Sequence, residues 1–251
     1  MAAGLGLMLA SLRDLAFPAG CLGCAQPPRA EEFFCPDCLE RVAWIAEACP
    51  RCGRPGAGAD CPACALATPA WELAWAPARH AGPLAEAVRA FKYRRRWASG
   101  VGLARLLAHT APAWLTAGAD LVIPVPLHPR RLLRRGFNQA AVLAGALGGG
   151  AGAELAPRLL LRRRHTRPQV GLSPQQRLAN VAGAFAVRPA ALARLAGRRV
   201  LLVDDVYTTG ATLAECAQVL LAAGAAAVRV ATVSRAGRPH PARQSGDAHG
   251  L

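Results

Sequence analysis

A chain of 251 residues, 53% hydrophobic and 18% charged, has enough apolar material for a buried core, which excludes a largely disordered protein. Its length suits one large domain or a medium one with a small companion. A formal charge of +15 favours anionic partners (nucleic acid, nucleotides, phosphorylated sugars or acidic lipid) without choosing among them. All but one of the 30 basic residues are arginine. Many of these arginines therefore need no functional explanation, whereas the single lysine, Lys92, draws notice as a compact ammonium on a flexible stem.

From the N-terminus, Leu5, Met8, Leu9, Leu12 and Leu15 recur at helical spacing, predicting a short amphipathic helix over residues 1–17. The segment lacks a basic start, and Arg13 and Asp14 interrupt it, so a secretion signal is not expected. No charge-free apolar run reaches the length of a membrane span. Residues 18–68 are rich in cysteine, proline and glycine and contain an internal repeat. Cys21, Cys24, Cys35 and Cys38 form two CxxC pairs, answered by Cys49, Cys52, Cys61 and Cys64. Two CxxC turns can close a tetrahedral four-thiolate site, so this unit is expected to hold two structural Zn²⁺ ions with no open coordination position. Disulfides are the alternative, disfavoured for a chain expected in the reducing cytoplasm. Cys216, on an apolar helical stripe, reads as a core residue.

Residues 70–238 change texture to alternating strands and helices, the pattern of an α/β domain with a mostly parallel sheet. Helices are expected at 84–91, 101–107, 138–147 (stopping at Gly148) and 213–223, and buried strands at 121–126, 200–203 and 228–233. The basic stretch 157–177 reads as a loop and the polar tail 239–251 as disordered. The most informative run is Val200 to Thr212. Four apolar residues make a strand, Asp204 and Asp205 stand at its carboxyl end, and Thr208, Thr209, Gly210, Ala211 and Thr212 lead into a helix. Ligands bind at that edge of open α/β sheets. Such a loop offers backbone N–H groups to a phosphate at a helix N-terminus, and paired carboxylates suit the vicinal hydroxyls of a ribose. The purely structural alternative is a strand end, a turn and an N-cap at Thr212.

This run matches the signature of type I phosphoribosyltransferases, and the chain resembles the ComF family of competence-associated proteins from Phe17 to about Ser234. The likeness rests on motifs in series: the double zinc ribbon, Phe91-Lys-Tyr93, Ile123 to Leu127, Arg134 to Gln139, Thr166 to Gln169 with Gly171 and Leu172, Arg177 with Asn180, and the signature. Where some relatives carry a glycine shortly after the lysine, this chain has Arg94, Arg95 and Arg96. The resemblance implies a type I phosphoribosyltransferase fold with a hood and a flexible loop over the site. It also implies 5-phosphoribosyl-1-pyrophosphate (PRPP) as ligand, with Asp204 and Asp205 on its ribose, 208–212 on its 5-phosphate and Mg²⁺ arriving with the pyrophosphate.

In such a transfer a nitrogen nucleophile displaces pyrophosphate from the anomeric carbon, and the protein orients the donor and stabilises the leaving group. Lys92 and Arg135 are the expected catalytic cations, with Arg134, Asn138 and Gln139 as further candidates to reach the pyrophosphate. His128 and His165 lie near these motifs. Arg158, Arg162, Arg163, Arg164, Arg167 and Arg177 form either a mobile loop or a strip for a nucleic-acid backbone, with Phe91, Tyr93, Trp97 and Phe137 available for stacking. Two functions compete: a phosphoribosyltransferase-like protein with an unknown acceptor, associated with DNA uptake, and a non-catalytic single-stranded-DNA-binding competence protein that retains PRPP binding. Other competence proteins are the expected partners. A sugar-phosphate sensor without turnover is a third possibility, though no DNA-reading helix is evident.

Overall fold

A computed structural model describes residues 20–26, 33–94, 96–169 and 171–237. The expected helix of residues 1–17 and the tail from 239 lie outside the described residues. The main sheet is wholly parallel. Strands β1 (Leu73–Trp75), β2 (Ala78–Arg79), β3 (Leu121–Pro124), β4 (Glu154–Leu155), β7 (Arg199–Tyr207) and β8 (Ala227–Arg235) run in the order β1-β8-β7-β3-β4, with β2 also on β8. Strands β5 (Leu160–Arg162) and β6 (Phe185–Val187) form a separate antiparallel pair.

The central strands read as unbroken apolar runs because both faces of the sheet are covered. Val200 and Leu202 of β7 pack on one side with Leu213, Cys216 and Leu220. Leu201 and Val203 pack on the other with Leu84, Val88, Phe91 and Leu103. The first side is closed by the helix α6 (Ala211–Ala222), while α1 (Gly82–Tyr93), α2 (Trp97–Thr110) and α4 (Gln139–Ala151) supply the second. Among the described residues no helix is long and apolar enough to cross a membrane.

The expected elements appear, most of them longer at both ends. Helix α4 runs through Gly148 instead of stopping there. A Cβ at Gly148 would meet only ordinary contacts, with Leu155 Cβ at 3.7 Å and Val122 Cγ2 at 3.8 Å, so this helix continues past a glycine that the packing does not require. It ends where Gly152 turns left-handed at φ +65°. The stretch 157–177, expected to be a loop, contains β5 and the start of α5 (Pro174–Val181). The overlooked signal was Ser173-Pro-Gln-Gln176, a full capping box in which Ser173 Oγ accepts from Gln176 N and Gln176 Oε1 accepts from Ser173 N.

Candidate functional site

Each half of the cysteine unit brings four sulfurs together. Within each set, all lie within 4.8 Å of one another. Cys24 and Cys35, Cys49 and Cys64, and Cys52 and Cys61 each have sulfurs 3.7 Å apart. Sulfurs on a tetrahedron about 2.3 Å from a central zinc are about 3.8 Å apart, so the spacing fits the metal, and no cysteine pair is bonded. Donors surround the thiolates as a negatively charged cluster requires: Cys35 N donates to Cys21 Sγ at 3.3 Å, Cys52 N to Cys49 Sγ at 3.5 Å and Arg41 Nη2 to Cys38 Sγ at 3.4 Å. These are two four-cysteine zinc-ribbon sites, closed as expected. Cys216, on α6, is fully buried, and burial pushes its thiol well above the usual range, so it behaves as core.

A cleft of about 350 Å³ opens at the carboxyl end of the sheet. Lys92, Arg131, Arg134, Arg135, Arg162 and Arg177 line it, and Asp204 and Asp205 are the acids in its wall. The strand carrying the two aspartates does not stop before them but continues to Tyr207. Asp204 Oδ1 accepts from Asp205 N at 2.8 Å. Burial, then the neighbouring Asp205 charge, push the Asp204 carboxyl up to about 7, against the opposing pull of Lys92. Asp205 is anchored differently, by an ion pair with Lys92 Nζ at 2.7 Å in which both side chains are largely buried. Lys92, expected at the leaving group, thus rests on an acid of the pair.

Beyond Tyr207 the loop has the form of an anion cradle. Thr208 and Thr209 are exposed, Gly210 is left-handed at φ +82°, and α6 begins at Ala211 with no side-chain cap. The N-cap is therefore Gly210 rather than Thr212. The amides of the first turn lack intrahelical acceptors and point with the positive end of the helix dipole. Gln169 Nε2 donates to Thr212 Oγ1 at 2.8 Å, drawing the 163–169 segment over this loop. That segment is held by Asn180, which accepts from Arg167 N at 3.1 Å and donates to Arg167 O at 3.0 Å.

The arginine-rich motifs divide between bracing and exposure. Asn138 is mainly structural: its Oδ1 caps α4 by accepting from Ala140 N, and its Nδ2 donates to Val125 O at 3.0 Å. Arg135 donates to Gln139 Oε1 at 3.1 Å and lies 5.6 Å from the centre of the Tyr93 ring. His128 caps α3 (Pro129–Arg135) by accepting from Arg130 N, and it meets His165 edge to face. Arg162 is not on a solvent-facing strip. It is 7% exposed, donates to Thr166 Oγ1 at 2.5 Å, and has its pKa lowered to about 10 by burial and then by Arg131. Arg163, Arg164 and Arg167 are exposed. Phe91 is buried and stacks on Phe137 at 5.1 Å, which leaves Tyr93 and Trp97 as the exposed aromatics of the four. Arg131, unremarked in sequence among so many arginines, lines the cleft and donates to Thr166 O at 2.7 Å.

A family model described as a phosphoribosyl transferase domain matches residues 132–249, and one described as a double zinc ribbon domain matches residues 12–68. The DNA utilization protein YhgH of Salmonella typhimurium is 34% identical over 223 residues, covering 86% of this chain and 96% of that protein. Competence protein F of Haemophilus influenzae is 31% identical over 216 residues, covering 82% and 92%. A solved glutamine PRPP amidotransferase from B. subtilis overlaps 54% of this chain and 26% of its own at 22% identity and a TM-score of 0.37, too loosely to carry weight.

Proposed function

The chain belongs to the ComF family of competence-associated proteins, and from that premise we propose that it binds PRPP with Mg²⁺ in the 350 Å³ cleft and serves DNA uptake. The observation that carries this is the juxtaposition of an acid pair with an uncapped helix N-terminus, one suited to ribose hydroxyls and the other to a phosphate. The volume is that of a small-molecule site. Asp204 and Asp205 accept from the ribose hydroxyls, and residues 208–212 hold the 5-phosphate. Arg135, with Arg131 and Arg177, faces the pyrophosphate. Lys92, paired with Asp205, lies within one side-chain movement of the same pyrophosphate. Asp204 and Asp205 offer the carboxylate oxygens that would hold Mg²⁺, a hard cation that would neutralise the diphosphate when bound. Transfer breaks the anomeric C–O bond as the acceptor nitrogen's lone pair forms the new bond, pyrophosphate leaves with the electrons, and the nitrogen's proton passes to solvent. The unbonded cysteines, grouped in fours, support a reducing compartment such as the cytoplasm.

The second reading keeps the cleft for recognition without turnover and gives the exposed Arg163, Arg164 and Arg167, with Tyr93 and Trp97, to single-stranded DNA in concert with other competence proteins. Titration calorimetry with PRPP and Mg²⁺ tests the common premise. Asp204→Asn or Asp205→Asn removes an acceptor worth about 1.5–3 kcal/mol, so donor affinity falls roughly ten- to a hundredfold. Equal binding by wild type and both variants would refute it, and release of pyrophosphate in an acceptor screen separates turnover from recognition.

A further inference from the structure

The two zinc-ribbon sites are closed, yet the second is fastened to the end of the sheet that carries the phosphate loop. Between Cys49 and Cys52 the chain presents two backbone carbonyls outward. Pro50 O accepts from Ala74 N of β1 at 3.1 Å, and Arg51 O accepts from Trp71 Nε1 at 2.8 Å. Trp71 is 4% exposed and meets Tyr207 edge to face at 5.8 Å and 90°. Tyr207 is the last residue of β7, and a Cβ added at Gly210 would stand 2.8 Å from its Cε2. Arg235 covers the same ring at 3.6 Å, and Tyr207 O accepts from Ala236 N at 2.8 Å. A continuous line of contacts therefore runs from the metal-binding turn, through one indole and one phenol, to the left-handed glycine that starts α6.

An open groove of about 900 Å³ shows that support is local. Cys64, Arg54 and Ala67 form its ribbon side and Thr209 and Gly210 its loop side. Across that gap the ribbon does not hold the loop directly. The Trp71 corner bridges the two.

We propose that the second four-cysteine site sets the phosphate loop through Trp71 and Tyr207, so that Trp71 is a positioning residue and loss of metal from this site loosens residues 208–212. The turn 49–52 keeps its carbonyls aimed at Trp71 and Ala74 only while both cysteines are tied to one ion. Released, it withdraws the indole's hydrogen bond and frees Tyr207 to move, and the amides of the cradle lose their fixed direction. Among the described residues the first site has no such line to the loop. Its Leu22 and Phe34 pack into the helix layer instead. For ligand binding the proposal rests on the phosphate cradle described above, but its structural part does not.

The test is amide hydrogen exchange of the 207–212 segment in the full chain, with zinc content measured alongside. Trp71→Phe keeps an aromatic ring but removes the N–H donor. It should retain both metals and speed exchange of the loop about fivefold, the equivalent of one neutral hydrogen bond, while exchange in the centres of β7 and β8 stays unchanged. Cys52→Ser should lose one zinc and speed loop exchange further. Cys24→Ser should also lose one zinc yet leave the loop within about twofold of wild type. Affinity for PRPP with Mg²⁺ should follow loop exchange in Trp71→Phe and Cys52→Ser, whereas Cys24→Ser, whose half packs on the helix carrying Lys92, is judged by loop exchange alone. Should Cys52→Ser not fold, the metal-replete Trp71→Phe protein decides. Unchanged loop exchange in Trp71→Phe, or equal responses to Cys24→Ser and Cys52→Ser, would overturn the coupling. A wild type that binds no donor while its loop follows this pattern would refute donor binding and leave the coupling standing.

Discussion

The two halves of the cysteine unit are near-repeats in sequence and differ in what they hold. Around Cys21 to Cys38, Leu22, Phe34 and Val42 enter one buried layer with Leu84, Val88 and Phe91. Gly82, at φ +51°, has no room for a Cβ because Arg41 O would stand 2.9 Å away. This half braces α1, the helix that delivers Lys92 to Asp205. Around Cys49 to Cys64 the buried cluster is Cys49, Cys52 and Cys61, packed with Ala57, Ala63 and Cys64. This half has no large apolar side chain to contribute and docks by its backbone on the opposite side of the cleft. The lesson is that the ligand spacing dictates a closed metal site, while the residues between the ligands decide what that site supports.

The sharpest way to break this comparison is Phe34→Ala. Phe34 is 2% exposed, and removing a fully buried aromatic ring costs about 3–5 kcal/mol. Its opposite number is Ala63→Gly in the second half, expected to cost about 1 kcal/mol. Chemical denaturation of the two variants measures both, and comparable losses would mean that the halves are equivalent supports.

A smaller effect is expected at Lys92, on the side the first half braces. Lys92→Met leaves the largely buried Asp205 without its partner and should cost about 1–3 kcal/mol in stability while zinc content stays at that of wild type. A stability equal to wild type would show that the pair carries nothing structural. A loss of zinc would show that Lys92 supports the ribbon as well as the cleft.

A separate test concerns pH. The folded Asp204 carboxyl titrates at about 7, above its ordinary 3.8, so folding favours proton uptake between those values. The group therefore imposes no penalty below about pH 4, an increasing one as pH rises, and its full penalty above about 7. Asp204→Asn never ionises, and its stability relative to wild type should grow from pH 5 to pH 8. His80, lowered mainly by burial, works in the opposite direction but is present in both proteins and drops out of the difference. A difference that does not change with pH would show that Asp204 is ionised throughout.

Much of this molecule is readable in one dimension. The four CxxC pairs specify two closed metal sites because ligand chemistry and spacing are local. The strands at 121, 200 and 228 announce a parallel sheet because burial on both faces demands unbroken apolar runs. The run from Val200 to Thr212 marks the cleft because acids, threonines and glycine together suit few other purposes. Less was legible where a residue's partner is distant in sequence. Nothing around Arg162 distinguishes it from Arg163, yet one is buried against Thr166 and the other exposed. Asn138 carries the same motif whether it braces Val125 or meets a ligand.

The sequence by itself determined the chemistry of the parts: thiolates in fours, an acid pair, and a glycine at the start of a helix. Tertiary structure alone decided how those parts are wired. Lys92 and Asp205, more than a hundred residues apart, meet because α1 packs on the face of β7 toward which Asp205 turns. Trp71 reaches Tyr207 because β1 joins the sheet beside β8, bringing the metal-binding turn at 49–52 to the end of β7. Both are consequences of strand order, which depends on how the whole chain buries its two apolar layers and is written in no short stretch of it.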